Sequence, residues 1–242
     1  MDILYGKHAV HEALRSGRNA RRILIAMGTE EDPEVDSIVQ LARNVDVPVE
    51  TAKRQRLNDI AHSEHHQGIV GYFHHREQPT LQKLLEVVEP PGLLLMLDEV
   101  QDPHNLGALL RSCDAMGAAG CIIPGQRAVG VTPTVAKVSA GASEYVPCVK
   151  VPNIAHAIRQ CKEAGYWCVG LVHTESATVD SWDFTSPTVI VLGSEGSGMR
   201  HLTRTLCDAL LRIPMMGSVS SLNVAAAGAI VMYEAARQRG WK

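Results

Sequence analysis

The sequence near the C-terminus reads Ile213-Pro-Met-Met-Gly-Ser-Val-Ser-Ser-Leu-Asn223 and continues in a run that stays small or apolar as far as Tyr233. Ser220 and Ser221 are expected to cap a helix there, because a short hydroxyl accepts hydrogen bonds from the free N–H groups of a first turn. A helix that is apolar all round must be buried, in its own core or against a partner chain. Gly228 weakens a helix by about 1 kcal/mol relative to alanine and therefore predicts tight packing at that point. The polar loop before the helix is interpreted as a candidate binding site.

Length and composition limit the classes of protein to consider. The chain has 242 residues, of which 45% are hydrophobic, so we expect one large or two modest domains. Its formal net charge of −3 does not indicate a general nucleic-acid binder, and any RNA contact would need a local basic patch. Six cysteines without Cys-x-x-Cys spacing favour reduced, buried thiols in a cytoplasmic protein over disulfides or zinc. No signal-peptide pattern is present, and the apolar runs are shorter than the ~20 residues that a membrane span needs.

Residues 1–75 alternate between helix-like and strand-like patterns, which predicts a small α/β domain. The predicted helices are His8–Arg15, Pro33–Asn44 and Lys53–Ala61, and the predicted strands are Arg22–Met27, Val47–Thr51 and Gly68–Phe73. The cations of the chain are concentrated here, at Arg15, Arg18, Arg21, Arg22, Lys53, Arg54 and Arg56. They form either a solvated face or a surface that contacts phosphates through counterion release.

Five histidines follow at His62, His65, His66, His74 and His75. No cysteine or tight carboxylate set completes a metal site, so surface or RNA-facing histidines are favoured over a metal centre. Residues 76–92 are polar at first and end at Pro90-Pro91-Gly92, which is typical of a linker between domains.

Residues 93–242 are predicted to form a second α/β domain, which begins with the continuous apolar run Leu93–Asp98. Such a run is typical of a buried parallel strand. Asp102 and Pro103 form a strong helix start, and Gly117 is expected to end that helix. Arg111 lies off the apolar face, and helical side chains lean toward the N-terminus. It is therefore either a solvent arginine or a functional side chain that reaches back over Gly107 toward the strand end, where α/β proteins place their sites.

Further alternation is expected toward the C-terminus. The predicted strands are Gly120–Ile123, Trp167–Val172, Thr188–Leu192 and Leu210–Pro214, the predicted helices are Pro133–Ala140 and Ile154–Ala164, and Ser143–Val149 is expected to be extended. The loop Gly193–Met199 has the spacing G-x-x-G-x-G and is either a tight turn or a ligand loop. Its glycine order and its place differ from the dinucleotide fingerprint, which argues against a nicotinamide-dependent oxidoreductase.

Three motifs together resemble those of the SpoU, or TrmH-type, branch of the SPOUT RNA methyltransferases. They are Asp102-Pro-His-Asn-Leu-Gly-Ala with Arg111-Ser-Cys-Asp-Ala, Leu192-Gly-Ser-Glu-Gly-Ser-Gly-Met, and Ile213-Pro-Met with Ser220-Ser-Leu-Asn-Val. The stretches Tyr5-Gly-Lys-His-Ala-Val-His-Glu-Ala-Leu and His66-Gln-Gly-Ile resemble the substrate-binding domain of the bacterial 23S rRNA guanosine 2′-O-methyltransferases. The resemblance covers the whole chain.

The resemblance implies a C-terminal domain with a trefoil knot, a rare exception to the rules of chain connectivity. It implies S-adenosylmethionine as the cofactor, bound by loops that include Gly193, Ile213, Met216 and Leu222. It also implies a homodimer through the C-terminal domain and an N-terminal domain that resembles ribosomal protein L30e and binds RNA. The reaction would be 2′-O-methylation of a ribose, with a guanosine of 23S rRNA as the first expectation.

By the same resemblance, Arg111 is the central catalytic residue, which the family is proposed to use to activate the 2′-hydroxyl. Arginine is protonated at ordinary pH, so we interpret Arg111 as a clamp on phosphate and hydroxyl, with a substrate phosphate or water accepting the proton. Glu195 would orient Arg111 through a charge-assisted pair. Asn105, Ser221 and Asn223 would hold the hydroxyl and the loops by hydrogen bonds. The alternatives are the same chemistry on tRNA or on another rRNA nucleotide, and a non-catalytic RNA-binding protein of ribosome assembly.

Overall fold

A computed structural model of the chain describes residues 1–29, 31–126, 128–175, 177–194, 196 and 198–241. The elements up to residue 77 are β1 (Asp2–Tyr5), α1 (Lys7–Arg15), β2 (Ala20–Ala26), α2 (Pro33–Asn44), β3 (Val49–Ala52), α3 (Arg54–Ala61) and β4 (Ile69–Phe73). The elements after it are α4 (Leu81–Val87), β5 (Leu93–Leu97), α5 (Pro103–Ala115), β6 (Gly120–Pro124), α6 (Pro133–Val138), β7 (Cys148–Val151), α7 (Ile154–Glu163), β8 (Trp167–Leu171), β9 (Thr188–Leu192), α8 (His201–Leu206), β10 (Ala209–Leu211) and α9 (Val224–Gln238). The chain divides into two compact units, residues 1–77 with 131–145 and residues 78–130 with 146–242.

The first unit is built on a mixed four-stranded sheet in the order β1-β4-β2-β3. Strand β4 runs antiparallel to both of its neighbours, and β2 runs parallel to β3. Because successive side chains of a strand point to opposite faces, Ile23 and Ile25 pack with α1 and α2, whereas Leu24 packs with Leu57 of α3. The predicted α/β character is confirmed, although the sequence patterns did not reveal β1.

Residues 131–145 belong to the first unit, and their predicted place within the domain at 93–242 is therefore wrong. Their helix α6 is anchored by Lys137, whose Nζ donates to the carbonyl of His65 at 2.5 Å. The prediction of an extended segment at Ser143–Val149 is wrong in its first part. Ala142–Glu144 form a 3₁₀ turn, and the strand begins only at Cys148.

The second unit holds a six-stranded sheet, all parallel, in the order β10-β8-β9-β5-β6-β7. All five residues of β5 are buried, which confirms the strand predicted from its continuous apolar run. Helix α5 starts as predicted, since Asp102 Oδ1 accepts from the backbone N–H of His104 at 2.9 Å and Pro103 occupies the first turn. Gly117, with a φ of +70°, follows its last turn.

Helix α9 differs from the prediction at its first residue. Asn223 is the cap, because its Oδ1 accepts from the backbone N–H groups of Ala225 at 2.9 Å and Ala226 at 3.3 Å. The predicted caps Ser220 and Ser221 are therefore wrong, since both precede the true cap. The tight packing predicted at Gly228 is confirmed, because a Cβ there would lie 2.4 Å from Leu109 Cδ2.

Burial of α9 is incomplete in the single chain, since Ile230 is 40% and Tyr233 is 50% exposed.

The six cysteines are free thiols, five of them buried, and burial raises the pKa of the Cys161 thiol to about 12. Across the described residues, no helix is long and apolar enough to cross a membrane. Helix α8 was not predicted, and β10 is shorter than the predicted strand Leu210–Pro214.

Candidate active site

A cavity of about 480 Å³ opens in the second unit where β8 and β9 end. Its wall is formed by residues just after β8, by the glycine-rich loop after β9, and by the segment that leads into α9. The carboxyl ends of parallel strands are the usual place for a site in an α/β domain. The described part of this wall is backbone, aliphatic side chains and a few neutral polar groups, with His173 as its single titratable side chain.

The glycine-rich loop is a closed turn whose backbone faces this cavity. Ser194 and Gly198 exchange two backbone hydrogen bonds of 3.0 Å each. A Cβ at Gly193 would lie 2.1 Å from the carbonyl carbon of Gly198, so only glycine fits there. Gly196 and Gly198 have φ values of +88° and +69°, a region that favours glycine. The motif is therefore a tight turn that also forms part of the wall of a cavity large enough for a ligand.

Two of the predicted catalytic residues contact each other. Asn105 is 7% exposed at the start of α5, and its Oδ1 accepts a hydrogen bond of 2.9 Å from Nδ2 of Asn223. The Oδ1 of Asn223 caps α9, so one amide side chain joins the first turns of two helices. Such an amide pair holds the loop before α9 against the loop before α5.

The structure places some of the predicted site residues in the cavity wall and others outside it. Those that line the cavity are Gly193, Ile213, Ser221, Leu222 and Asn223. Met216 is 98% exposed and lies outside the wall, where Met215 is found instead. Arg111 is an exposed residue of α5, one turn beyond Gly107, and is not part of the cavity wall. Glu195 lies outside the described residues.

Sequence reasoning missed His173 as a wall residue and missed an ion pair between Asp98 and Arg200 beside the glycine-rich loop. For His173 and Asp98, the position just after a predicted strand was a signal that the sequence contained. His173 follows the strand β8, and Asp98 follows β5, so both lie at the carboxyl edge of the sheet. Nothing in the local sequence points to Arg200 as the partner of Asp98.

The cavity fits the cofactor that the sequence motifs imply. Ligand sites of roughly 300–1,000 Å³ that are mostly apolar, with a few placed polar groups, are typical for a molecule of this size. Ile213 and Leu222 offer aliphatic surface to a flat base, and the glycine-rich backbone offers N–H and C=O groups to polar atoms. Across the described residues, no group of three or more His, Cys, Asp or Glu is arranged to hold a metal ion.

Two groups of basic residues in the first unit differ in their contacts. Arg18, whose side chain is 10% exposed, forms ion pairs with Asp2 and with Glu144 Oε1, the latter at 2.8 Å. Arg22 pairs with Glu50 at 3.4 Å and lies 4.7 Å above the ring of Tyr72. These two cations are therefore engaged in contacts within the first unit.

A second set of cations surrounds the start of α3. Lys53, Arg54 and Arg56 are exposed, and within the described residues they form no salt bridge. Positive charge at a helix N-terminus is unfavourable with respect to the helix dipole, so these residues do not stabilise α3. This set remains the candidate for phosphate contact.

His66 is fully buried, unlike the surface histidine that the sequence suggested. Its Nε2 lies 2.7 Å from Asn58 Oδ1, and its Nδ1 accepts from the backbone N–H of Gly68 at 3.0 Å. One ring nitrogen therefore donates while the other accepts, which is the pattern of a neutral imidazole. Burial, and then the nearby charges of Arg54 and Lys137, lower the pKa of His66.

Comparison with known proteins identifies two family profiles in the chain. The SpoU rRNA Methylase family matches residues 92–233, and the domain described as RNA 2′-O ribose methyltransferase substrate binding matches residues 3–79. The chain is 41% identical over 246 residues to the 23S rRNA (guanosine-2′-O-)-methyltransferase of Pseudomonas syringae, covering 100% of this chain and 98% of that protein. It is 42% identical to the enzyme of the same name from Coxiella burnetii, over 98% of this chain and 95% of that one.

A solved structure shares this fold along nearly the whole chain. The SpoU methyltransferase AviRb from Streptomyces viridochromogenes, crystallised with AdoMet, has a TM-score of 0.83 and 29% sequence identity. The match covers 99% of this chain and 91% of that chain.

Proposed function

The chain belongs to the SpoU rRNA Methylase family, and from this premise we propose that it transfers a methyl group from S-adenosylmethionine to the 2′-hydroxyl of a guanosine ribose in 23S rRNA. The observation that carries the proposal is the cavity where β8 and β9 end, bounded by a closed glycine turn and by the segment before α9. Its wall contains residues from two of the three motifs that resemble this family. The relatives named above act on 23S rRNA guanosine, which supports the choice of substrate.

The cofactor supplies a methyl group on a sulfonium centre when it is bound. We assign its binding to the backbone around Gly193 and to the aliphatic side chains of Ile213 and Leu222. Met216 remains assigned to this site by motif, although Met215 is the methionine in the wall. His173 is the single titratable side chain of the described wall, so backbone groups and neutral side chains would hold most polar atoms of the cofactor.

The substrate is held, in this proposal, by polar side chains of the motif segments. Arg111 would clamp a phosphate and the ribose hydroxyl, and Ser221 would hold the hydroxyl by a hydrogen bond. The pair Asn105–Asn223 fixes the two loops at a 2.9 Å separation of the amides. A substrate phosphate or water accepts the proton, because a guanidinium stays charged. Correct alignment of the reacting atoms supplies a large part of the rate acceleration in such a transfer. In this proposal Glu195 orients Arg111.

The first unit is assigned to RNA binding. The profile for a substrate-binding domain at residues 3–79 supports this assignment, as do the exposed cations Lys53, Arg54 and Arg56, which form no salt bridge with any described residue. The proposed division of the chain is 1–75 as an L30e-like RNA-binding domain, 76–92 as a linker and 93–242 as the methyltransferase domain. An L30e-like fold agrees with the mixed sheet covered by helices on both faces.

The proposal also includes a trefoil knot in the second unit and a homodimer through the C-terminal domain, with α9 in or near the interface. The exposed apolar face of α9, with Ile230 and Tyr233, supports a partner chain at this helix. Family membership supports the knot. The substrate, an rRNA, supports the cytoplasm as the compartment.

The test uses purified protein, tritiated S-adenosylmethionine, and 23S rRNA transcribed without modifications, with tRNA as a parallel substrate. Nuclease mapping should place the label on one guanosine 2′-oxygen of the rRNA. Arg111→Ala should lower the rate at least 100-fold, because the clamp and its charge are lost. The matched control is Arg159→Ala, another exposed arginine on a helix of the same unit, which should stay within two-fold. Label in tRNA alone would overturn the substrate, and no cofactor binding would favour a non-catalytic RNA-binding protein.

A further inference from the structure

Asp98 is a charged residue that is buried although it does not line the cavity. It follows the last residue of β5, and its side chain is 0% exposed. Burial of an isolated carboxylate is very costly, so such a group is retained only when it is paired and hydrogen-bonded. The reason for its presence must therefore lie in the groups that it holds.

One residue, Arg200, satisfies both oxygens of this carboxylate. The backbone N–H of Arg200 donates to Oδ2 at 3.0 Å, and its Nε donates to Oδ1 at 2.7 Å. Its Nη2 forms a further ion pair with Oδ1. Charge-assisted contacts from a planar guanidinium fix orientation as well as energy. The pair thus sets both the backbone and the side chain of Arg200.

Asp98 also holds the other end of the glycine-rich loop. Its backbone N–H donates to the carbonyl of Leu192 at 2.7 Å. Leu192 directly precedes Gly193, and Arg200 directly follows Met199. The single residue Asp98 therefore fastens the loop 193–199 at both of its ends, below the bridge between Ser194 and Gly198.

The same guanidinium reaches the segment that leads to α5. Arg200 Nη1 lies 3.4 Å from Glu99 Oε1, and Glu99 has a φ of +71°, which is uncommon outside glycine. Residues held in such conformations are stabilised by their surroundings and are common near functional sites. The next few residues lead to the helix cap Asp102 and to Asn105. One ion-pair cluster thus connects the loop of the cavity wall with the loop before α5.

We propose that Asp98 and Arg200 are positioning residues that set the glycine-rich loop in the conformation that binds S-adenosylmethionine. This inference rests on the proposed function. A well-packed apolar pair is often as stabilising as a buried ion pair, so stability alone does not account for charges here. The directional contacts of the ion pair do account for them, because the loop has glycines in its turn and needs fixed ends.

The test is Asp98→Asn, studied by calorimetric titration with S-adenosylmethionine at a temperature where the variant is folded. The amide presents one acceptor and turns an NH₂ group toward the guanidinium. We expect Kd to rise at least ten-fold, with a smaller fall in kcat at saturating cofactor. Arg200→Ala should match this change, and Arg200→Lys should recover part of the affinity because it keeps the charge without the planar fork.

A matched control separates positioning from stability. Asp208→Asn removes the charge that pairs with Lys162 at 2.7 Å, and its amide keeps one oxygen for the backbone N–H of Cys168, which lies 2.8 Å from Asp208 Oδ2 in the wild type. Asp208 belongs to the same unit but does not line the cavity. We expect its Kd to stay within two-fold of wild type. The inference is overturned if Asp98→Asn binds with wild-type affinity, or if affinity falls in both variants in proportion to their loss of Tm.

Two further measurements keep the inference testable. If Asp98→Asn does not fold, the Arg200 variants decide, since the side chain of Arg200 is 47% exposed and its loss leaves less unfilled core. Amide hydrogen exchange of peptides spanning residues 192–200, without any ligand, should be faster in the Asp98 or Arg200 variants. That readout stands even if the wild-type protein fails to bind S-adenosylmethionine, an outcome that would reject the proposed function and leave the loop-holding role intact.

Discussion

Two buried carboxylates, one in each unit, face arginines in different ways. In the second unit, Asp98 receives the backbone and side-chain donors of Arg200 on both of its oxygens. In the first unit, Glu144 is 4% exposed and its Oε1 accepts from Arg18 at 2.8 Å. Its Oε2 lies 3.5 Å from Arg76 Nη1 and has no hydrogen-bond partner among the described residues.

The difference between them lies in what each carboxylate connects. Asp98 holds the two ends of a loop that lines a cavity. Glu144 holds residues 131–145 to the rest of the first unit, through Arg18, which also pairs with Asp2. A buried ion pair by itself does not indicate a functional site. Its position relative to a cavity does, so we expect Asp98 to influence ligand affinity and Glu144 to influence stability.

The largest expected effect on stability is that of Glu144→Ala. Removing the carboxylate leaves Arg18, whose side chain is 10% exposed, with one partner fewer, and breaking a buried pair costs about 3–5 kcal/mol. The free energy of unfolding should fall by that amount in urea titrations followed by far-UV circular dichroism. Amide exchange should accelerate in peptides from residues 1–77.

Glu144→Gln is the control for this change, because it keeps the shape and an acceptor for Arg18 and should cost clearly less than alanine. The affinity for S-adenosylmethionine should stay within two-fold in both variants. A ten-fold loss of affinity in Glu144→Ala would erase the difference between the two carboxylates.

His66 sharpens the comparison, because it is a buried titratable group that folds without charge. Its pKa is lowered in the folded state, so below the ordinary value of about 6.5 the unfolded chain binds a proton that the folded chain does not. The stability is complete above about pH 6.5 and falls as the pH decreases, by at most about 1.4 kcal/mol per pH unit. Urea titrations between pH 7.5 and 5 would measure this slope.

His66→Gln should remove that part of the slope, whereas His74→Gln, at an exposed histidine, should leave it in place. An unchanged slope in His66→Gln would show that another group causes the pH dependence.

Asn223→Ala extends the comparison to a neutral group that joins two segments. It removes the cap of α9 and the hydrogen bond to Asn105, and loss of a helix cap costs typically about 1 kcal/mol. The three tryptophans lie in residues 146–242, so their fluorescence reports unfolding of the second unit. Asn223→Asp, which retains a capping acceptor, should restore most of the stability; an equal loss in both variants would argue that the cap is unimportant.

The smallest effect is expected from the partly exposed pair of Lys162 and Asp208. The side chain of Lys162 is 39% exposed, and ion pairs in contact with solvent contribute about 0–1 kcal/mol. Lys162→Met should therefore change the free energy of unfolding by less than about 1 kcal/mol, as measured by tryptophan fluorescence. A loss of 3 kcal/mol or more in the free energy of unfolding would equal the effect expected for a buried ion pair. Burial would then not predict how much each ion pair contributes to stability.

Local sequence patterns were sufficient where one element carries its own signal. The continuous apolar run of β5, the Asp102-Pro103 start of α5 and the close approach at Gly228 were all predicted correctly. Each depends on the composition of a single segment or on the size of one side chain. Element ends were less predictable, since Ser220 and Ser221 were expected to cap α9 and Asn223 is the residue with the geometry of a cap.

The sequence by itself determined the α/β class, most strands of the central sheet and the family motifs. Only the tertiary structure decided that Asp98 pairs with Arg200, 102 residues away, and that residues 131–145 pack with the first unit. It also decided that Arg18 pairs with the buried Glu144 while Lys53 and Arg54 remain exposed. The physical reason is that hydrophobic periodicity and capping act within a few residues, whereas charge pairing and burial depend on which distant segments meet.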